Sequence, residues 1–147
     1  MQLHASLMFS GQCEEAFKFY EAVLGGTLTM LPYGGSPMAA QVEPAWHTKI
    51  MHARLIVGES QLTGGDVPAT DYERPKGFSL LLGIEDPAEA ERVFRALSEN
   101  GVVKMPIAET FWSVRYGALV DRFGVPWEVN CAQAPSATKS STELIVG

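Results

Sequence analysis

The stretch Asp121-Arg122-Phe123-Gly124-Val125-Pro126-Trp127-Glu128-Val129-Asn130 decides how this chain is read. Asp and Gly suit a tight turn, because Asp bonds to its own backbone and Gly tolerates a positive φ. The strand that follows alternates, with Trp127 and Val129 on one face and Pro126, Glu128 and Asn130 on the other. A carboxylate in the middle of an apolar strand is rare unless it is partnered. Glu128 is therefore either a ligand group in a pocket or one half of an ion pair.

Working outward, the strand closes the second copy of an internal repeat. Glu15-Ala16-Phe17-Lys18-Phe19-Tyr20-Glu21-Ala22-Val23 aligns with Glu89-Ala90-Glu91-Arg92-Val93-Phe94-Arg95-Ala96-Leu97. Cys13, Ala16, Phe17, Tyr20 and Leu24 form an apolar stripe at helical spacing in the first copy, as do Ala90, Val93, Phe94 and Leu97 in the second. Asp86, Pro87 and Glu89 form a strong start signal for the second helix. Gly25-Gly26 and Asn100-Gly101 supply the stops. Strand-like runs flank each helix: 3–9, 27–31, 50–57 and 60–63, then 78–84, 102–107, 113–120 and 125–131.

Each half thus reads βαβββ, an α+β fold. The expected organisation is one domain over 1–134, with modules at about 1–66 and 76–134. A polar, turn-rich linker from Gly64 to Gly77 joins them, and a Ser/Thr-rich tail over 135–147 follows. A long connection, 32–46, interrupts the first half, and connections of that length inside compact domains tend to be functional or mobile.

Composition narrows the class. The 147 residues are 46% hydrophobic and 19% charged, an ordinary globular balance. A net charge of −6 with no cluster among the eleven basic residues argues against nucleic-acid binding. Apolar runs fall far short of the ~20 residues that span a bilayer. The N-terminus lacks a basic region leading into an apolar one, so the expected location is cytoplasmic. Cys13 and Cys131, without CxxC spacing, read as reduced buried thiols.

A duplicated βαβββ unit ending in Asp-x-x-Gly-x-x-x-Glu resembles the vicinal oxygen chelate superfamily, which includes glyoxalase I, bleomycin-resistance proteins and extradiol dioxygenases. The chain is more closely similar to the PhnB-like branch, often labelled 3-demethylubiquinone methyltransferase-like. The residues that carry the resemblance are Phe9-Ser10-Gly11, Glu15-Ala16, Phe19-Tyr20, His52-Ala53, Glu109-Thr110-Phe111-Trp112, Tyr116-Gly117, Asp121 to Trp127, and Asn130. It implies two curved mixed sheets, each with a helix on its outer face. It also implies a homodimer, since pairing covers bare sheet edges.

In metal-dependent members of the superfamily, four strands each present one ligand. On this chain those positions fall on Ala5, Leu62 or Thr63, Phe78 and Glu128, and only the last can ligate strongly. A catalytic site needs about three protein ligands. The expectation is therefore a metal-free cavity without cofactor, a divalent metal being the alternative. His4, one residue from the first ligand position, is expected on the opposite face. His52 and Arg54 share a strand face, and His52 could act as a base or donor. His47 is expected in solvent. Trp112, Val114 and Tyr116 could line one face with Arg115 opposite, and aromatics there would suit a flat or apolar ligand. Asp121 and Glu109 read as turn or ion-pair residues. No nucleophile triad is visible. Gly34-Gly35 and Gly64-Gly65 read as loop dipeptides rather than a cofactor-holding turn.

The function expected is a small-molecule-binding protein of the bleomycin-resistance kind. Phe78, Trp112, Tyr116, Glu128 and His52 are its candidate ligand-binding residues, with no nucleic-acid or membrane partner. The alternative is a lyase, isomerase or dioxygenase using Glu128 and His52.

Overall fold

A computed structural model describes residues 1–132, so the expected tail over 135–147 lies outside the described residues. The chain divides into two compact units, Met1–Glu73 and Arg74–Gly147. Each carries one helix and a four-stranded mixed sheet, so the α+β reading with two βαβββ modules holds.

The first unit contains β1 (Ser6–Phe9), α1 (Cys13–Leu24), β2 (Thr27–Pro32), β3 (Ile50–Val57) and β4 (Ser60–Asp66). Its strand order is β1-β4-β3-β2, with β1 parallel to β4 and the remaining pairs antiparallel. The second unit repeats this with β5 (Leu80–Gly83), α2 (Pro87–Ser98), β6 (Val102–Ala108), β7 (Ser113–Val120) and β8 (Pro126–Ala132), in the order β5-β8-β7-β6. The parallel β1/β4 and β5/β8 pairs follow from the helix: a strand must cross over before it can pair parallel.

Each helix buries its apolar stripe on one face of its own sheet. Cys13, Ala16, Phe17, Tyr20 and Val23 are buried in α1, and Ala90, Val93, Phe94 and Leu97 in α2. Strand glycines let the helices approach closely. A Cβ on Gly64 would lie 2.7 Å from both the Phe17 ring and the Leu7 carbonyl oxygen. One on Gly117 would lie 2.6 Å from the Phe94 ring.

The helix starts differ. Asp86 caps α2 as its sequence predicts, accepting the Glu89 N–H at 3.3 Å with Pro87 in the first turn. The residue ahead of α1, Gln12, makes no side-chain cap. Asp66, at the far end of β4, does the work instead. Its Oδ1 accepts the N–H groups of Gly11 at 2.8 Å and Cys13 at 3.0 Å, and its Oδ2 accepts that of Ile50 at 2.8 Å.

Two expectations are corrected here. Gly64-Gly65-Asp66 is the end of β4 rather than linker or loop, because Gly64 and Gly65 are buried and register with Leu7 and Met8. The 32–46 connection carries short 3-10 turns at Tyr33–Gly35, Ala39–Gln41 and Pro44–Trp46. Tyr33 donates its hydroxyl to the Asp66 carbonyl at 2.8 Å, and its ring lies 6.2 Å from that of Trp46. His47, expected in solvent, is half-buried and its Nε2 lies 2.8 Å from the Ala39 carbonyl oxygen.

Candidate functional site

The candidate residues lie on sheet faces turned away from the helices, and strand parity decides which ones. In β8, Trp127, Val129 and Cys131 are buried against α2, leaving Pro126, Glu128 and Asn130 half-buried on the other face. The turn before it is held by Asp121, which is 3% exposed. That carboxylate accepts the N–H groups of Phe123 at 2.8 Å and Val125 at 3.0 Å and the Trp127 indole at 2.9 Å. Asp121 is thus the turn residue its sequence context predicts, and its buried carboxylate also clamps the start of β8 through Val125 and Trp127.

Register with β7 sets Tyr116 opposite Asn130 and Ala118 opposite Glu128. The pairing shifts between Ser113 and Arg115, so a bulge brings Ser113 to the face of Tyr116, three residues away. Two short side-chain bonds follow. The Tyr116 hydroxyl donates to Glu128 Oε1, and the Ser113 hydroxyl donates to Asn130 Oδ1. The Trp112 ring stands edge-on to Tyr116 at 5.6 Å. Arg115 points the other way, to Glu91 of α2 at 2.9 Å, as its parity predicts.

The bond to the Glu128 carboxylate is the main reason the Tyr116 phenol is pushed up to about 12, with burial and the carboxylate charge adding to it. Glu128 Oε2 has no protein partner among the described residues and can accept from a ligand N–H or O–H.

The other candidates fall elsewhere. Phe78 is half exposed and precedes β5, whose face away from α2 carries Leu81 and Gly83. His52 is exposed on the face of β3 away from α1, together with Arg54. Ala5 has the parity of Leu7 and Phe9, which are buried towards α1. His4 has that of Ser6 and Met8 on the other side, which reverses the expected assignment. Of Leu62 and Thr63, Thr63 shares the outer parity of Arg54, its partner in β3. The Ser113–Asn130 pair was not legible in the sequence, since a bulge leaves no residue-type signal.

Metal chemistry does not fit this donor set. The hydroxyls and amide around Glu128 are weak ligands, and no group of three His, Cys, Asp or Glu that could hold a metal occurs among the described residues.

Two mixed sheets, each backed by its helix, define the vicinal oxygen chelate fold. A solved glyoxylase/bleomycin resistance protein/dioxygenase domain from Frankia shares the fold, with a TM-score of 0.60 at 12% identity over 90% of this chain and 95% of that one. Within the superfamily the chain belongs to the PhnB-like family described as 3-demethylubiquinone-9 3-methyltransferase, whose pattern matches residues 1–130. It is 32% identical over 139 residues to Protein YjdN of Escherichia coli K12, covering 88% of this chain and 95% of that protein. Protein PA1353 from Pseudomonas aeruginosa is 48% identical, with a TM-score of 0.83 over 91% of this chain and 99% of that one. No helix among the described residues is long and apolar enough to cross a membrane.

Proposed function

We propose that this chain binds a small molecule on the face of its second sheet turned away from α2, without metal, as bleomycin-resistance proteins are understood to do. One observation carries the reading: a carboxylate held by a tyrosine on one oxygen and open on the other, beside an edge-on Trp112. That arrangement suits a flat or apolar body with a hydrogen-bond donor, such as an aromatic amine.

The methyl transfer in the family description is not part of this reading. Gly34-Gly35 belongs to a 3-10 turn and Gly64-Gly65 to β4, so neither forms the Gly-rich strand-to-helix turn that cradles a nucleotide-like cofactor. Catalysis by Glu128 with His52 is likewise not part of this reading.

The test is a fluorescence titration with benzylamine and tryptamine, with benzoate as the acid counterpart. Saturable binding of the amines is expected, weakened about tenfold or more in Glu128→Gln, whereas any response to benzoate should be unchanged or strengthened by that substitution. Amine binding indifferent to Glu128, or benzoate binding weakened as much as amine binding in Glu128→Gln, would sink the proposal.

We also propose a homodimer in the cytoplasm. The edge strands β5 and β6 expose Leu81, Val102, Val103 and Met105, apolar surface that a second copy would cover. Both cysteines are free and buried, which suits a reducing compartment. Light scattering should give twice the 16.0 kDa chain mass; a single-chain mass at micromolar concentration would rule the dimer out.

A further inference from the structure

The face of the first sheet turned away from α1 holds a basic island that the site above does not use. Arg54 sits in the middle of β3, and its register partners on that face are Thr29 in β2 and Thr63 in β4. Directly opposed residues in antiparallel strands have Cβ atoms about 5 Å apart, so a hydroxyl stands on each side of the guanidinium stem. His52 is two residues along the same strand, about 7 Å away on the same face. None of the residues that registers with these strands on this face carries a carboxylate: Thr27, Thr29, Ser6, Met8, Gln61 and Thr63 are all neutral.

That is unusual in a chain with seventeen acidic and eleven basic residues. Of the six arginines, Arg92, Arg95, Arg115 and Arg122 each meet a glutamate, and Arg54 and Arg74 do not among the described residues. Arg54 and His52 are exposed and have no hydrogen bond or ion pair among the described residues. A central strand position is also an uncommon place for a long charged side chain with nothing to pair with. Arginine presents a planar fork of donors that matches two oxygens of an oxyanion at once, which lysine cannot do.

We propose that Arg54, with His52, Thr29 and Thr63, forms a binding site for the oxyanion end of a small molecule, a carboxylate or a phosphate group. Arg54 supplies the bidentate contact and the charge. His52 supplies a ring N–H and the exposed Thr29 a hydroxyl that can turn to donate, while Thr63, buried with its hydroxyl on the Ala5 carbonyl oxygen at 3.5 Å, backs the site. The site stands on the first unit alone and does not depend on the amine site at Glu128.

The experiment follows backbone amide and His52 ring resonances of the full chain while inorganic phosphate, acetate or chloride is added at matched ionic strength. Phosphate and acetate should each produce saturable shifts confined to residues 29, 52, 54 and 63, and the stronger of the two identifies the preferred anion. Chloride should produce none. Arg54→Gln should weaken binding about tenfold or more, and Arg54→Lys should recover only part of it, because the fork is lost while the charge remains. Lys104→Gln removes the same charge from the exposed β6 and should leave the titration unchanged. Chloride matching the oxyanions, or Lys104→Gln weakening binding as much as Arg54→Gln, would reduce the effect to general screening and overturn the proposal. So would unchanged binding in an Arg54→Gln protein whose spectrum shows it folded.

Discussion

Replacing Asp66 should damage the fold more than any surface change, and the damage can be worked from its three bonds. The side chain is 2% exposed and accepts N–H groups from the β1–α1 junction, the start of α1 and the start of β3. A hydrogen bond to a charged group contributes about 1.5–3 kcal/mol, and a buried donor left unpaired costs about 1–3 kcal/mol. Because the three bonds share one carboxylate and relax together, Asp66→Ala should cost about 4–6 kcal/mol.

Asp66→Asn is the sharper probe. Gly11 and Cys13 share Oδ1, so an amide oxygen placed there keeps both, as weaker neutral bonds. The amide nitrogen then faces the Ile50 N–H, donor against donor. One bond lost and two weakened predict about 2–4 kcal/mol. Domains of this size are stable by about 5–15 kcal/mol, so both variants should show large shifts of the urea midpoint with an unchanged slope. An Asp66→Ala protein within about 1 kcal/mol of the parent, or an Asn variant worse than Ala, would refute the view of Asp66 as the cap of α1.

Three further outcomes follow from named groups. The Tyr116 phenol, normally near 10, is raised to about 12 by Glu128. A raised folded value means its stabilising contribution is complete below pH 10 and is lost as pH climbs towards 12. A stopped-flow absorbance titration should lose its latest-ionising tyrosine in Tyr116→Phe, and that step should move back towards 10 in Glu128→Gln; no movement would remove Glu128 as the cause. Burial first, then the charges of Asp66 and Glu14, push the Cys13 thiol up to about 12, and Cys131 is 1% exposed. A disulfide reagent at pH 8 should therefore label neither thiol in the native protein and both of them after unfolding; rapid native labelling would contradict the packing. Gly117→Ala should destabilise by about 1–3 kcal/mol in thermal or urea unfolding, because its methyl would enter the Phe94 ring. A neutral result would mean that α2 sits further from the sheet.

The sequence by itself determined the architecture. The repeated helical stripe, the Asp86-Pro87-Glu89 start and the alternation of Trp127, Glu128 and Val129 are signals of period and capping, carried by neighbours in the chain. They are strong here because each helix must bury its apolar stripe against a sheet whose faces are set by a period of two. Tertiary structure alone decided what the polar residues do. Asp66 reads as part of a Gly-Gly-Asp turn, yet its partners lie 16, 53 and 55 residues away. Glu128 meets Tyr116 rather than an arginine because β7 pairs with β8 in this register, and Ser113 reaches Asn130 through the one-residue shift in β7. A hydrogen bond needs its partner within about 3 Å, and residue type and spacing do not encode which distant strand supplies it. The same limit put Ala5 and His4 on the wrong faces, since parity is measured from the buried residue and Leu7 is identified as buried only when α1 packs on it.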